Sequence, residues 1–198
     1  MELVIATRNK KKRQEIEEIL KDCDIDILSL EDYPEFPDIK EEGTTFEDNA
    51  VKKSRVVAKL ANKWALADDS GLEVEALGGR PGVHSARFAG KEQNDEANIR
   101  KLLKLMDGIP KEKRKARFSC FIAISKPTGE VVKIVKGSCE GWIGLKPRGR
   151  HGFGYDPVFI ASGQSKTFAE LKPELKNQIS HRAKALKKVK EFISQLGL

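Results

Sequence analysis

Residues 64–77 read WALADDSGLEVEAL, and the reading of the whole chain turns on that stretch. Trp64 to Asp68 has the composition of a short buried strand, closed by the acidic pair Asp68 and Asp69 and a turn at Ser70 and Gly71. Leu72 to Leu77 then resumes an extended course up to the turn GGRPG. Two carboxylates that follow buried Ala65, Leu66 and Ala67 lose hydration, which is costly unless nearby groups compensate the charge. The stretch predicts a sheet with a chemically committed end.

Upstream, a helix starts near Thr45, whose hydroxyl caps it with Asp48 three residues on, and runs to about Asn62. Before it come a short strand over Glu2 to Thr7, a helix carrying Ile16, Ile19, Leu20 and Cys23, a second strand over Ile25 to Leu30, and a loop around Pro34 and Pro37. Downstream, Glu92 to Met106 is helical, with Ile99, Leu102, Leu103 and Met106 in one apolar stripe. Ala116 to Ser125 and Glu130 to Gly137 alternate as strands joined by the hairpin turn KPTG. A strand over Tyr155 to Ile160 and an amphipathic helix from about Ile179 close the chain. Helices and strands interleave with no repeat or low-complexity linker, so the expectation is one domain over residues 1–198, mixed α/β with a curved sheet.

The net charge of +7, from 37 Lys and Arg against 30 Asp and Glu, suits an anionic partner but does not choose between nucleotide, nucleic acid and a solvated basic surface. Cys23, Cys120 and Cys139 are odd in number and contain no C-x-x-C, which argues against a disulfide scaffold or zinc ribbon and for a reducing compartment. The opening MELVIATRNKKK has an apolar run too short for a signal peptide or a membrane span. A soluble cytoplasmic protein with no membrane partner is expected.

Four clusters carry chemistry. Thr7, Arg8, Asn9, Lys10, Lys11 and Lys12 lie between a strand end and a helix start, where backbone N–H groups and the helix dipole favour an anion such as phosphate. From position alone they serve equally as an Asn9-capped, solvated basic turn. No G-x-x-x-x-G-K-[ST] occurs, which removes a P-loop. Glu41, Glu42, Asp68 and Asp69 offer the hard oxygens that Mg²⁺ takes, although Glu41 and Glu42 alone read as an exposed loop. In GRHGFGYDP, residues 149–157, glycines bracket Phe153 and Tyr155 so that backbone and ring can approach a purine, with Asp156 able to accept from base N–H groups; a strand-entry turn explains the same residues. Lys176, Ser180, His181 and Arg182 open a helix, either as base or phosphate contacts or as a solvated start. Three histidines with no H-x-x-x-H argue against metal ligation by histidine.

Five segments then occur in one order: ATRNKKKRQE (6–15), EEGTTFEDNAVKK (41–53), ADDSGLEVEALGGRPGVHSARFAG (67–90), GFGYDPVF (152–159) and TFAELKPELKNQISHRAKAL (167–186). In wording and order they resemble the inosine triphosphate pyrophosphatase family, which clears damaged purine nucleotides. The resemblance implies a homodimer of elongated subunits, each with two α/β lobes around a central sheet and the active site in the cleft between them. It implies hydrolysis of inosine, deoxyinosine and xanthosine triphosphates between the α and β phosphates. Thr7, Asn9, Lys12 and Lys53 then match triphosphate contacts, with Arg8, Lys10 and Lys11 beside them. Glu41 and Asp69 match the Mg²⁺ site, and Asp69 also the proton acceptor. Ser70 matches a substrate contact; Phe153, Gly154, Tyr155 and Asp156 with Lys176, His181 and Arg182 match the base-reading side. The chain departs from the family pattern at Arg8 and Ala183, where glycine is frequent, at Asp48, where Glu is, and at His84, where Tyr is usual.

Two other functions fit parts of the sequence. A basic RNA- or DNA-binding protein would explain the charge, but no RRM, KH or zinc-finger pattern is present. A septum-formation-type nucleotide pyrophosphatase would share the chemistry without this order of motifs.

Overall fold

The computed structural model describes residues 1–33, 35–90 and 93–196. Pro34, from the expected loop, and Glu92, the expected start of a helix, lie outside the described residues.

Eleven elements define the fold among the described residues: β1 (Glu2–Ile5), α1 (Lys10–Leu20), β2 (Asp26–Ser29), α2 (Phe46–Ala61), β3 (Trp64–Val74), α3 (Asp95–Leu105), β4 (Lys115–Ser125), β5 (Val131–Ile143), β6 (Phe159–Ala161), α4 (Pro173–Ile179) and α5 (His181–Gln195). The strands form one six-stranded sheet in the order β2-β1-β3-β4-β5-β6. Strand β1 runs parallel to both neighbours, Val4 facing Leu28 on one side and Ala65 on the other, and β5 pairs antiparallel with β6. Parallel neighbours need a crossover, and α1 and α2 provide it. The result is the expected mixed α/β fold.

The chain resolves into two compact units, Met1–Asp69 with Cys120–Gly137 and Ala183–Leu198, and Ser70–Ser119 with Ser138–Arg182. In the first unit β1 shows why the alternation of strands matters. Leu3 and Ile5 join a core with Ile16 and Leu20 of α1, Leu66 of β3, and Leu186 and Val189 of α5. Val4 and Ala6 point to the opposite face and pack with Val57 and Ala58 of α2 and Ala65 and Ala67 of β3. Burial on both faces explains the unbroken apolar run in β1. In the second unit, Leu72 and Val74 of β3 pack with Leu102 of α3 and Met106 at its C-terminal end, Phe118 of β4, and Phe159 and Phe168.

Helix α2 is capped at both ends. Thr45 Oγ1 accepts the Asp48 N–H at 3.1 Å and donates to Asp48 Oδ2 at 2.7 Å, and Asn62 ends the helix in the left-handed region at φ 50°.

The structure differs from the sequence reading in four elements. The turn expected at Ser70 and Gly71 is absent, and β3 runs through it, buried along most of its length. Strand β5 continues six residues beyond Gly137, to Ile143. Of the expected 155–160 strand only Phe159 and Ile160 pair, in a strand that ends at Ala161, because residues 154–158 first form turns in which the Tyr155 carbonyl accepts the N–H groups of Val158 and Phe159. Finally, Pro173–Ile179 is a helix of its own, separated from α5 by Ser180 in extended conformation at ψ 160°. Proline suits the first position of such a helix.

Candidate active site

In the first unit the site grows from the N-terminus of α1. Asn9 Oδ1 accepts the N–H groups of Lys11 and Lys12, both at 3.0 Å, and Thr7 Oγ1 accepts the Asn9 N–H at 3.2 Å. The first turn carries Lys10, Lys11 and Lys12 and no acid, which opposes the helix dipole unless an anion sits there. These cations do not share one direction. Arg8 reaches the Phe36 carbonyl at 2.6 Å and Asp38 at 3.1 Å, and exposed Lys10 stands 3.8 Å from Glu31. Lys12 turns inward, its ammonium 3.2 Å from Oδ2 of the buried Asp68.

Helix α2 contributes from the other side of β3. Lys53, one turn beyond Asn49, donates to Glu41 Oε1 and to the Asp68 carbonyl, each at 2.6 Å. Asn49 donates its amide to Asp69 Oδ2 at 2.9 Å while accepting the Gly43 N–H at 2.8 Å. A side chain on residue 43 would meet Asn49 Oδ1 at 2.7 Å, so only glycine brings the 41–43 segment this close. Burial raises the Asp69 carboxyl above the usual aspartate range; nearby Glu41 adds to that, while Lys53, Lys12 and the Asn49 amide oppose it. Burial works against the Lys53 charge, but Glu41, Asp69 and Asp68 together outweigh it and hold the ammonium above its ordinary value. The cluster is a set of acidic side chains with two lysines set against them, Lys53 on Glu41 and Lys12 on Asp68. Among the described residues, no group of three or more His, Cys, Asp or Glu gathers as a preformed metal cage.

The second unit holds the remaining predicted residues. Arg182, 1% exposed, donates from Nη2 to Ser70 Oγ at 2.9 Å and lies 5.6 Å from the centre of the Phe153 ring. Lys176 is 4.8 Å from the same ring centre and 2.6 Å from Asp156 Oδ2. That carboxylate also accepts the Phe153 N–H at 2.9 Å, so Asp156 fixes the loop and the lysine together. Gly152 makes room for it: at φ 76° a Cβ there would fall 2.0 Å from Asp156 Oδ2. Gly154 donates to Asp95 at 2.7 Å. His181 stacks on Phe118 with ring centres 4.6 Å apart. The two aromatics of this loop part company. Phe153 is half-buried beside two cations, whereas Tyr155 is a core residue whose hydroxyl donates to the Ser85 carbonyl at 2.8 Å and whose burial raises its pKa.

The sequence reading missed Asn49, the link between Gly43 and Asp69. Its signal was there: Asn49 and Lys53 are polar residues one helical turn apart on the face that also carries Ala50 and Val57, a face otherwise committed to the core. It also missed Glu73 of β3, held by Arg117 through two bonds of 3.0 and 3.1 Å and by Ser119 at 2.5 Å.

The model of the Ham1 family matches residues 3–192. The chain belongs to the Ham1 family. Among its relatives, the dITP/XTP pyrophosphatase of Desulforamulus reducens is 51% identical over 196 residues, covering 99% of this chain and 97% of the relative. The dITP/XTP pyrophosphatase of Bacillus subtilis is 51% identical over 192 residues, covering 97% and 96%. The solved structure of the Staphylococcus aureus Ham1 protein superposes with a TM-score of 0.87 at 43% identity, covering 98% of this chain and 99% of that one. A Coxiella burnetii HAM1 protein gives 0.89 at 40% identity, with 98% and 99% covered. The resemblance read from the five segments is therefore a family membership spanning the Ham1 domain. No helix among the described residues is long and apolar enough to cross a membrane.

Proposed function

We propose that this Ham1-family nucleoside triphosphate pyrophosphatase hydrolyses deoxyinosine, inosine and xanthosine triphosphates between the α and β phosphates, giving monophosphate and pyrophosphate, with Mg²⁺ as cofactor. The observation that carries this reading is the Asn49–Asp69 and Lys53–Glu41 pairing, together with relatives at 51% identity that are dITP/XTP pyrophosphatases. On the same resemblance we propose a cytoplasmic homodimer.

The donor set suits Mg²⁺. Glu41 and Asp69 carry hard oxygens, with Glu41 close enough to add to the rise of the Asp69 pKa, and Mg²⁺ usually takes only one or two carboxylates, with phosphate and water completing the octahedron. The bound ion would neutralise charge on the phosphate oxygens as the anhydride breaks. In the first unit, Asn9, Lys12 and Lys53 hold the triphosphate at the N-terminus of α1, where the helix dipole favours an anion. Asp69 takes the proton of the water whose oxygen bonds to the α-phosphorus; the bond from that phosphorus to the α–β bridging oxygen breaks, and pyrophosphate leaves with the electron pair. A carboxyl whose pKa is raised by burial is a better base than an exposed aspartate. The second unit reads the base. Arg182, fixed by Ser70, and Lys176, fixed by Asp156, are donors suited to an oxygen at the purine six-position. The amino group of adenine would leave such a donor unpaired, and that mismatch is the basis of selectivity.

The deciding experiment is turnover of dITP, XTP and ATP in ¹⁸O-labelled water, with Mg²⁺ or with EDTA. The expected products are pyrophosphate and monophosphate with the label in the monophosphate, dITP and XTP ahead of ATP, and no turnover in EDTA. Orthophosphate, or label in the pyrophosphate, would place the attack elsewhere.

A further inference from the structure

The lysines assigned to the triphosphate lie on the carboxylates assigned to the metal. Lys53 Nζ is 2.6 Å from Glu41 Oε1 and 2.6 Å from the Asp68 carbonyl, and Lys12 Nζ is 3.2 Å from Asp68 Oδ2. Lys53 and Asp68 are buried, and the side chain of Lys12 is only 16% exposed, so water screens these pairs weakly. We infer that Lys12 and Lys53 make metal binding conditional on the triphosphate: the two ammonium groups hold the acidic set until the phosphate chain draws them away.

The inference rests on the function proposed above, and charge accounts for it. Glu41, Asp68 and Asp69 against Lys12 and Lys53 leave about one net negative charge, little to set against the hydration that a hard dication must give up. A lysine is a compact charge on a flexible four-carbon stem, able to move to a phosphate oxygen while its backbone stays in α1 or α2. When both lysines turn to the triphosphate, Glu41 and Asp69 are left to the ion with no competing cation beside them. Coupling of this kind is reciprocal, so the metal tightens the triphosphate by the same factor. It also disposes of product. A monophosphate lacks the β and γ phosphates that hold the lysines, so their return to Glu41 and Asp68 releases the ion.

The test is Mn²⁺ binding followed by the electron paramagnetic resonance signal of the free ion. It uses the full-length protein alone and with an inosine triphosphate analogue carrying a methylene α–β bridge, corrected for Mn²⁺ bound by the free analogue. Wild type should bind Mn²⁺ at least about tenfold more tightly in the presence of the analogue. Lys53→Met should tighten Mn²⁺ binding to the protein alone by about fivefold or more and shrink the coupling, and Lys12→Met, at a less buried position, should do the same to a smaller degree. Equal affinity with and without analogue, or binary affinity unchanged in both variants, would overturn the inference and leave the proposed metal site standing. Absence of protein-bound Mn²⁺ even with analogue would overturn both.

Discussion

Asn49 Nδ2 lies 2.9 Å from Asp69 Oδ2, and the same amide's oxygen holds the Gly43 N–H at 2.8 Å. One helix residue thus sets the orientation of the proposed base and the position of the loop that carries Glu41. Replacing it with alanine removes a donor from a buried carboxylate and frees the 41–43 segment. Asn49→Ala should lower kcat/KM for dITP by about ten- to a hundredfold, an effect of roughly 1–3 kcal/mol. Asn49→Asp, which sets a second carboxylate against Asp69, should be worse. Steady-state kinetics on both variants, with circular dichroism as a check on folding, tests the assignment; wild-type kinetics in either would remove Asn49 from the site.

Asp69 should show the opposite sign in stability and in activity. Burial raises its folded pKa, so the native state binds the proton more tightly than the unfolded chain does. Its ionisation therefore costs stability as pH rises above the ordinary aspartate range, and the cost vanishes in acid, where both states are protonated. Asp69→Asn keeps an acceptor for the Asn49 amide, and Lys53 retains Glu41 and the Asp68 carbonyl. In EDTA at pH 7.5 the variant should gain about 2–4 °C in Tm, and the gain should fade toward pH 3. Turnover should drop by at least about a hundredfold. A lower Tm at neutral pH, or normal turnover, would contradict the role given to this carboxylate.

Arg182 and Lys12 should separate selectivity from affinity. Arg182 is fixed by Ser70 beside Phe153, whereas Lys12 faces Asp68 at the end of α1. Arg182→Ala should erode the preference for dITP over ATP by about five- to a hundredfold, the worth of one base hydrogen bond in a dry pocket. Lys12→Ala should slow both substrates by similar factors, because an ammonium near phosphate reads charge and no base edge. The ratio of kcat/KM values is the readout, since partial unfolding lowers both rates without moving it. A larger change of ratio in Lys12→Ala would reverse the division into phosphate and base ends.

Much of this was legible in the sequence, and the misses share a cause. The strand and helix order, the Thr45–Asp48 cap and the apolar stripe of α3 follow from local rules, and the structure keeps them. At Ser70 and Gly71 the local signal for a turn was sound, but sheet pairing and burial on both sides of β3 overrode it. Asn49 escaped because a single asparagine in a helix does not reveal that a carboxylate twenty residues away lies within reach. Tyr155 and Phe153 were indistinguishable as letters; only the packing of Tyr155 against the Ser85 segment assigns one to the core. The pairing of Lys53 with Glu41 was equally invisible, because the loop that closes it depends on the absence of a side chain at Gly43.

The segment GFGYDP has a consequence for how such an enzyme could change its diet. Of its residues, Gly152 is locked by the Asp156 carboxylate and Tyr155 is embedded in the core, while Asp156 is tied to Lys176. Drift there is punished by misfolding before it is tested against a new nucleotide. Phe153, half-buried, is the aromatic that keeps part of its ring outside the core. An evolving lineage, or an engineer seeking a different base preference, has the freest hand at that one aromatic and meets a structural veto at its neighbours.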